Sequence, residues 1–334
     1  MYAGSTIMRF SLLGRRAGCR FRSTHVPSFE QIRTAFLHGR GKDAIDHIIE
    51  NAQRSNVGCV LTIGGDQLTG KSSLAKEIAA STLLSSRVDI YRGICRLSTG
   101  ETMRALAAEE GISIGHLSRR LANSEDRMVD ILLDYKTCEA LSGGKKGDEA
   151  LLVVEGRQPA VMATFCQSLL REEGMESLFP PTFRVYLKCS PVEQAYRFFC
   201  REIEDMDMAE LVRLVLLRAD LNSSPGNLKA AVNILYKELP KHLSEEKIPA
   251  MTDALEEFRT NAKRDEDDTA RLNSLYSPAC HYRQDYFYDL IVDTSEIDAK
   301  EKLEIVMDGF VDFLERRAGR DKSQPDELSQ YHVR

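Results

Sequence analysis

Residues 62–79 read TIGGDQLTGKSSLAKEIA: Gly65, four residues, then Gly70-Lys71-Ser72, set between an apolar run and a helical pattern. No other stretch restricts the fold so tightly. GCVLTIGG (58–65) is short and almost continuously apolar, as a strand buried on both faces should be, and SSLAKEIAASTLL has helical spacing. Strand, glycine loop and helix in that order form the context of a P-loop. Its successive N–H groups turn inward around a β-phosphate, and the helix N-terminus adds its dipole. Gly70 lets the main chain approach without a Cβ in the way. Lys71 reaches the β- and γ-phosphates, and the Ser72 hydroxyl holds Mg²⁺. A chance match in a loop is the bland alternative, and the flanking strand and helix argue against it. Leu68 departs from the pattern, because many such loops carry Gly where φ is positive and a leucine is strained.

Further buried strands are expected in LLVVEG (151–156), FRVYLKC (183–189) and YDLIVDTS (288–295), with helical patterns over 100–110, 116–141, 159–173, 191–203 and 298–317. This alternation predicts an α/β fold: a doubly wound, parallel, five-stranded sheet with its loops at the strands' carboxyl ends on one side. Residues 27–56 read as leading helices. Residues 57–318 form the main domain, which carries a helical insertion at 204–258 ahead of lid helices at 259–275. In the insertion Leu211, Leu214, Val215, Leu217 and Leu221 have the spacing of a packed helix, and SSPGN (223–227) is a turn. The polar segment 319–334 is expected to be a disordered tail.

Charge is unevenly distributed. The first 26 residues hold Arg9, Arg15, Arg16, Arg20 and Arg22 and no Asp, Glu or Lys, with Ile7, Met8, Phe10, Leu12 and Leu13 interleaved. That composition predicts a mitochondrial transit peptide and a matrix location, the bland alternative being a flexible basic tail. With five of the 45 basic residues in that segment, the rest of the chain faces 51 acidic ones and is strongly acidic. A broad nucleic-acid surface is thereby disfavoured, while a local basic pocket for a small polyanion is not. No apolar run approaches the roughly 20 residues that a membrane span needs. The eight cysteines form no C-x-x-C pair and the seven histidines show no ligand or triad spacing, which argues against a zinc site or a disulfide framework.

Four more segments narrow the chemistry: STGETMRALAAEEGIS (98–113), Asp126-Arg127-x-x-Asp130, VVEGR (153–157) and RDEDDTAR (264–271). With the glycine loop, in this order and spacing over about 58–203 and 259–310, they resemble the cytidylate kinase family, P-loop enzymes that move the γ-phosphoryl group of ATP to CMP or dCMP. Ser-Thr-Gly-x-x-x-Arg and Glu-Gly-Arg look most like the compact branch typical of archaea; the Arg264/Asp268/Arg271 spacing also matches the bacterial branch. The resemblance implies ATP and Mg²⁺ as cofactors. It implies ATP contacts at Gly65, Thr69, Gly70, Lys71, Ser72 and Ser73. Thr99, Gly100, Arg104, Arg157 and Asp268 would meet the nucleoside monophosphate, Asp268 through the sugar. Lys71, Arg157, Arg264 and Arg271 would surround the transferring group. Gln158-Pro159 stands where the bacterial branch carries Asp, a residue that helps read cytosine there.

Physical chemistry supports part of this independently. Arg264, Asp268 and Arg271 stand at i, i+4 and i+7, on one helix face, and guanidinium forks bind phosphate bidentately. Each residue also has a plain alternative: Arg104 as a solvated helix residue, RDEDDTAR as a surface salt-bridge helix, Asp130 as a capping charge. Three functions follow. One is a (d)CMP kinase. Another is a catalytically degenerate scaffold of a mitochondrial assembly such as the ribosome, with the insertion as the surface for a protein partner. The third is a kinase with another acceptor: UMP, AMP or a shikimate-like small molecule.

Overall fold

The computed structural model describes residues 27–55, 57–80, 93–123, 127–143, 151–203, 206–219 and 228–320. Helices α1 (Glu30–Arg40) and α2 (Ala44–Gln53) precede β1 (Cys59–Gly65) and α3 (Lys71–Ala80). β2 (Ile94–Ser98) leads into α4 (Thr99–Glu109), α5 (Ile114–Asn123) and α6 (Met128–Leu141). β3 (Leu151–Glu155), α7 (Pro159–Glu172) and β4 (Thr182–Lys188) follow. A helical run comes next: α8 (Pro191–Ile203), α9 (Met206–Arg218), α10 (Leu228–Glu238) and α11 (Ile248–Leu275). β5 (Leu290–Asp293) and α12 (Ala299–Arg320) end the described chain.

The five strands form one sheet in the order β2-β3-β1-β4-β5, and every pairing is parallel. The fold is therefore α/β. Side chains alternate between the two faces of the sheet. Val60, Leu152, Val154 and Tyr186 join a core built with α1, α2, α6 and α7. Leu61, Ile63, Val153, Val185 and Leu187 join the opposite core, with α3 and α12. Each such aliphatic side chain, fully buried, contributes about 1.5–3 kcal/mol. A third core lies apart from the sheet, among α8, α9, α10 and the first half of α11. Phe198, Phe199 and Phe258 meet at its centre with ring centroids 5.2–5.6 Å apart.

Several expectations need adjusting. The pattern over 116–141 belongs to two helices, α5 and α6, not one. The insertion and the lid are not separate pieces, because α11 runs unbroken for 28 residues through the expected boundary at 258/259. No Gly or Pro occurs between Ala250 and Leu275 to stop it. On α9 the packed face is Met208, Val212, Val215 and Leu216, whereas Leu214 and Leu217 face outward. α12 reaches Arg320, so Gly319 and Arg320 are helical and not part of a tail. The expected transit peptide, the 223–227 turn and residues 321–334 lie outside the described residues. Among the described residues the cysteines are all free, no group of side chains suits a metal ion unaided, and no helix is long and apolar enough to cross a membrane.

Candidate functional site

The glycine loop joins β1 to α3 at the carboxyl edge of the sheet, where open α/β sheets take their ligands. Gly65 has φ of 149°, and a Cβ there would lie 2.6 Å from the Leu187 carbonyl, so only glycine fits. Four successive carbonyls are anchored by side chains. The Asp66 carbonyl accepts from Thr69 Oγ1 at 2.9 Å and from Lys71 Nζ. The Gln67 carbonyl accepts from Gln194 Nε2 at 2.8 Å, and the Leu68 carbonyl from Arg197 Nη1 at 3.3 Å. The Thr69 carbonyl accepts from Thr294 Oγ1 at 3.3 Å. In a trans peptide the N–H points away from the C=O. Anchoring the carbonyls outward therefore turns the following amides the other way. Among the described residues, no main-chain N–H from Asp66 to Ser73 meets an acceptor in hydrogen-bond geometry. Unpaired donors in a half-buried loop at a helix N-terminus make a site for an anion.

Leu68 does occupy the left-handed region, with φ of 61°. Strain of about 1–2 kcal/mol is expected for a residue with a Cβ. Its side chain leaves the loop and packs against the third core, among α8–α11. Burial there offsets the strain, and the leucine does not fill the hollow of the loop.

Lys71, the first residue of α3, is held over this loop. Burial, with Arg157 nearby, pulls its ammonium down to about 8. The Ser72 hydroxyl donates to Glu155 Oε2 at 2.7 Å, and Arg96 Nη1 donates to Glu155 Oε1 at 3.0 Å. Glu155 ends β3 and is 2% exposed. Gly156, next along, lies so close to the start of α4 that a Cβ would come within 2.2 Å of Thr99 Oγ1.

Arg157 is surrounded by acids. Its guanidinium pairs with Asp268 at 2.8 Å, with Asp265, and with Asp66 at 3.6 Å, and donates to the Tyr282 hydroxyl at 2.7 Å. Asp268 bridges onward to Arg271 at 2.9 Å, and Arg271 reaches Asp130 at 2.7 Å. Arg283 and Tyr282 close the network on Asp66, at 2.8 Å and 2.6 Å. Burial pushes the Asp66 and Asp268 carboxyls up, but the guanidinium groups outweigh it and hold both below the usual carboxylate range. Asp130, more weakly compensated, is raised by burial. Asp134, one turn further along α6 and accepting from the Tyr276 hydroxyl at 2.8 Å, is pushed by burial up to about 7. Arg264 has no ion pair among the described residues. Its Nε is buried without a partner, and burial lowers its pKa against the pull of Asp268.

The structure thus gathers Lys71, Arg157, Arg264, Asp268 and Arg271 around the loop and the 265–271 face of α11. Asp268, expected to meet a sugar, has both oxygens engaged by arginines. Arg104 stands outside the network: it is exposed on α4, curled back over Gly100, with Nη1 3.6 Å from where a Gly100 Cβ would be. Thr99 donates to the Glu155 carbonyl at 3.3 Å, and Ser73 is exposed. Sequence reasoning missed Asp66, Asp265, Tyr282, Arg283 and Arg197. Asp66 had a signal only as a position in the glycine loop and Asp265 only as a neighbour of Arg264 in the charged segment; the others arrive through long-range contacts.

No protein-family model matches the chain, and no curated protein is found to be similar to it. Among solved structures it is similar to the crystal structure of an uncharacterized protein from Eubacterium ventriosum ATCC 27560. The TM-score is 0.36 and the identity 12%, over 76% of this chain and 98% of that one. So slight a likeness bears on neither fold family nor activity.

Proposed function

We propose that the chain is a P-loop protein with a doubly wound sheet, and that it transfers the γ-phosphoryl group of Mg-ATP to a nucleoside monophosphate, CMP or dCMP. The observation that carries this is the run of unpaired amides from Asp66 to Ser73, bordered by Lys71 and facing the cluster of Arg157, Arg264 and Arg271. Phosphoryl transfer between phosphates needs no general base; positioning and charge neutralisation supply the catalysis. The loop amides and Lys71 would hold the polyphosphate. Arg157 and Arg264 would hold the transferring and accepting phosphates, which would replace carboxylates as partners of Arg157 and give the unpaired Arg264 an anion. Asp268 and Asp130 keep Arg157 and Arg271 aligned before substrate arrives. Ser72 and Glu155 offer the hard oxygens that Mg²⁺ takes alongside phosphate oxygens, and the ion supplies charge neutralisation when bound. Closure of α11 over the site would exclude water.

A second reading has its own observation. Arg157 and Arg271 already have two or more acidic partners each, so these two arginines are held as members of a structural lattice without any ligand. A catalytically silent scaffold of a mitochondrial assembly would keep it for that reason. Purified full-length protein with Mg-ATP and, in turn, CMP, dCMP, UMP, AMP and shikimate separates the two. Diphosphate formed from CMP or dCMP is expected. No phosphorylated product from any acceptor, with co-sedimentation in a megadalton particle, favours the scaffold. Matrix targeting rests on residues 1–26 and is checked by fusing them to a fluorescent reporter.

A further inference from the structure

Arg96 belongs to no motif of the sequence. It stands in β2, which pairs with β3 so that Ser98 lies opposite Glu155. Residues two apart on a strand share a face, so Arg96 and Glu155 are on the same side of the sheet. Arg96 Nη1 donates to Glu155 Oε1 at 3.0 Å, and Arg96 Nη2 donates to Glu101 Oε1. Glu101 is on the first turn of α4, and its N–H donates to the N-cap hydroxyl of Ser98 at 3.2 Å. Thr99, on the same turn, donates to the Glu155 carbonyl at 3.3 Å. The start of α4 therefore grips Glu155 twice, by its main chain and, through Arg96, by its carboxylate. The other carboxylate oxygen, Oε2, accepts from Ser72 Oγ at 2.7 Å. A serine hydroxyl has one hydrogen and two lone pairs, so fixing the hydrogen on Glu155 also fixes where the lone pairs point. Contacts thus run in series from Glu101 through Arg96 and Glu155 to Ser72, beside the glycine loop. Arg96 suits the middle of that series, because its planar fork serves two carboxylates at once and the point charge of a lysine does not.

We propose that Arg96 is a positioning residue of the nucleotide site, holding Glu155 and through it Ser72 so that their oxygens are aimed before Mg-ATP arrives. This rests on the phosphate-loop reading above and adds to it a residue outside both the loop and the charged face of α11. Glu155 is 2% exposed and is ion-paired to Arg96. Removing that charge outright would leave a buried carboxylate uncompensated and disturb folding as well. Arg96→Lys keeps the charge and gives up the fork. Glu101→Gln, at a partly exposed position, leaves Arg96 in place and removes its brace.

The test is calorimetric titration of the full chain with ATP, once with Mg²⁺ and once with EDTA, for the wild type, Arg96→Lys and Glu101→Gln, alongside thermal melts without ligand. The quantity read is the ratio of the two affinities, the gain from Mg²⁺. Losing an outer-shell partner weakens metal binding roughly 10–100-fold, so Arg96→Lys should lose about tenfold of the gain and Glu101→Gln about threefold. Affinity in EDTA should stay within about twofold of the wild type in both variants, with melting temperatures close to it, because an outer-shell partner acts through the metal. A gain kept within about twofold of the wild type in Arg96→Lys excludes a loss of that size and overturns the proposal. If Arg96→Lys does not fold, Glu101→Gln decides by the same criterion. Affinity that falls equally with Mg²⁺ and with EDTA, together with a lowered melting temperature, makes Arg96 structural and also overturns it. So does a wild type that binds ATP but gains nothing from Mg²⁺. If the wild type binds ATP under neither condition, the phosphate-loop reading fails and this proposal with it, an outcome distinct from the others.

Discussion

At the residue scale the site is governed by burial competing with charge. Lys71 begins to lose its proton near pH 8 in the free protein, whereas a bound polyphosphate would hold the ammonium charged. Affinity for ATP should therefore decline once pH rises past about 8, and Lys71→Met should bind weakly at every pH; titrations from pH 6.5 to 9.5 check both. Asp134 works in the opposite sense. Its folded pKa of about 7 exceeds the ordinary 3.8, so between those values the unfolded chain releases a proton that the folded chain keeps. Stability should fall as pH rises from about 4 to 7 and level off beyond, by on the order of a few kcal/mol. Asp134→Asn should flatten that slope and raise the melting temperature at pH 7.5; a melt unchanged at pH 7.5 and a slope unchanged from pH 4 to 7 would contradict this. The motif residues Lys71, Ser72, Arg264 and Arg271 were legible because glycine spacing and charge periodicity are local properties, whereas Arg157 was named only through the family resemblance. Asp66 was legible only as a loop position. Its partner Arg283 is 217 residues away in sequence, a contact that no local pattern encodes.

At the element scale most of the strands could be read from β-branched apolar runs, because a parallel strand covered on both faces has no polar alternation to confuse it. β2, only partly buried and containing Arg96, lacks that signature, so the fifth strand of the expected sheet had no run of its own to mark it. The continuity of α11 was missed because the insertion and the lid were judged by composition, and the helix spans the change from apolar to charged sequence. Continuity makes the face bearing Asp265, Asp268 and Arg271 an extension of the helix that carries Phe258. Lys263, exposed between the two, is the place to test this. Lys263→Gly should cost about 1 kcal/mol and Lys263→Pro about 3 kcal/mol or more in urea unfolding. The proline variant should also lose more ATP affinity than the glycine variant, since it disconnects the two halves.

At the scale of the whole molecule, the described residues pack into one core on each face of the sheet, the aromatic cluster among α8–α11, and a small cluster of Met103, Ala107, Leu117, Leu121 and Leu133 among α4–α6. The third was foreseeable as helical but not as a core, because the apolar spacing on α9 selected Leu214 and Leu217, which face outward. Phe258→Ala should cost about 3–5 kcal/mol, as large-to-small changes in closed cores do, measured by chemical denaturation. It should weaken nucleotide binding too, because Leu68 of the glycine loop packs against the cluster that Phe258 fills.

That coupling follows from Leu68. By lending its side chain to the helical cluster, the loop accepts a mooring outside the sheet that supports it. If the proposed nucleotide stiffened the loop, it would also tighten the distant cluster, and a protein gripping those helices would in turn alter that binding without approaching it. What interrupts the usual glycine pattern is, mechanically, an apolar tether that joins the polar ones from Gln194 and Arg197 in binding the loop to the helical cluster.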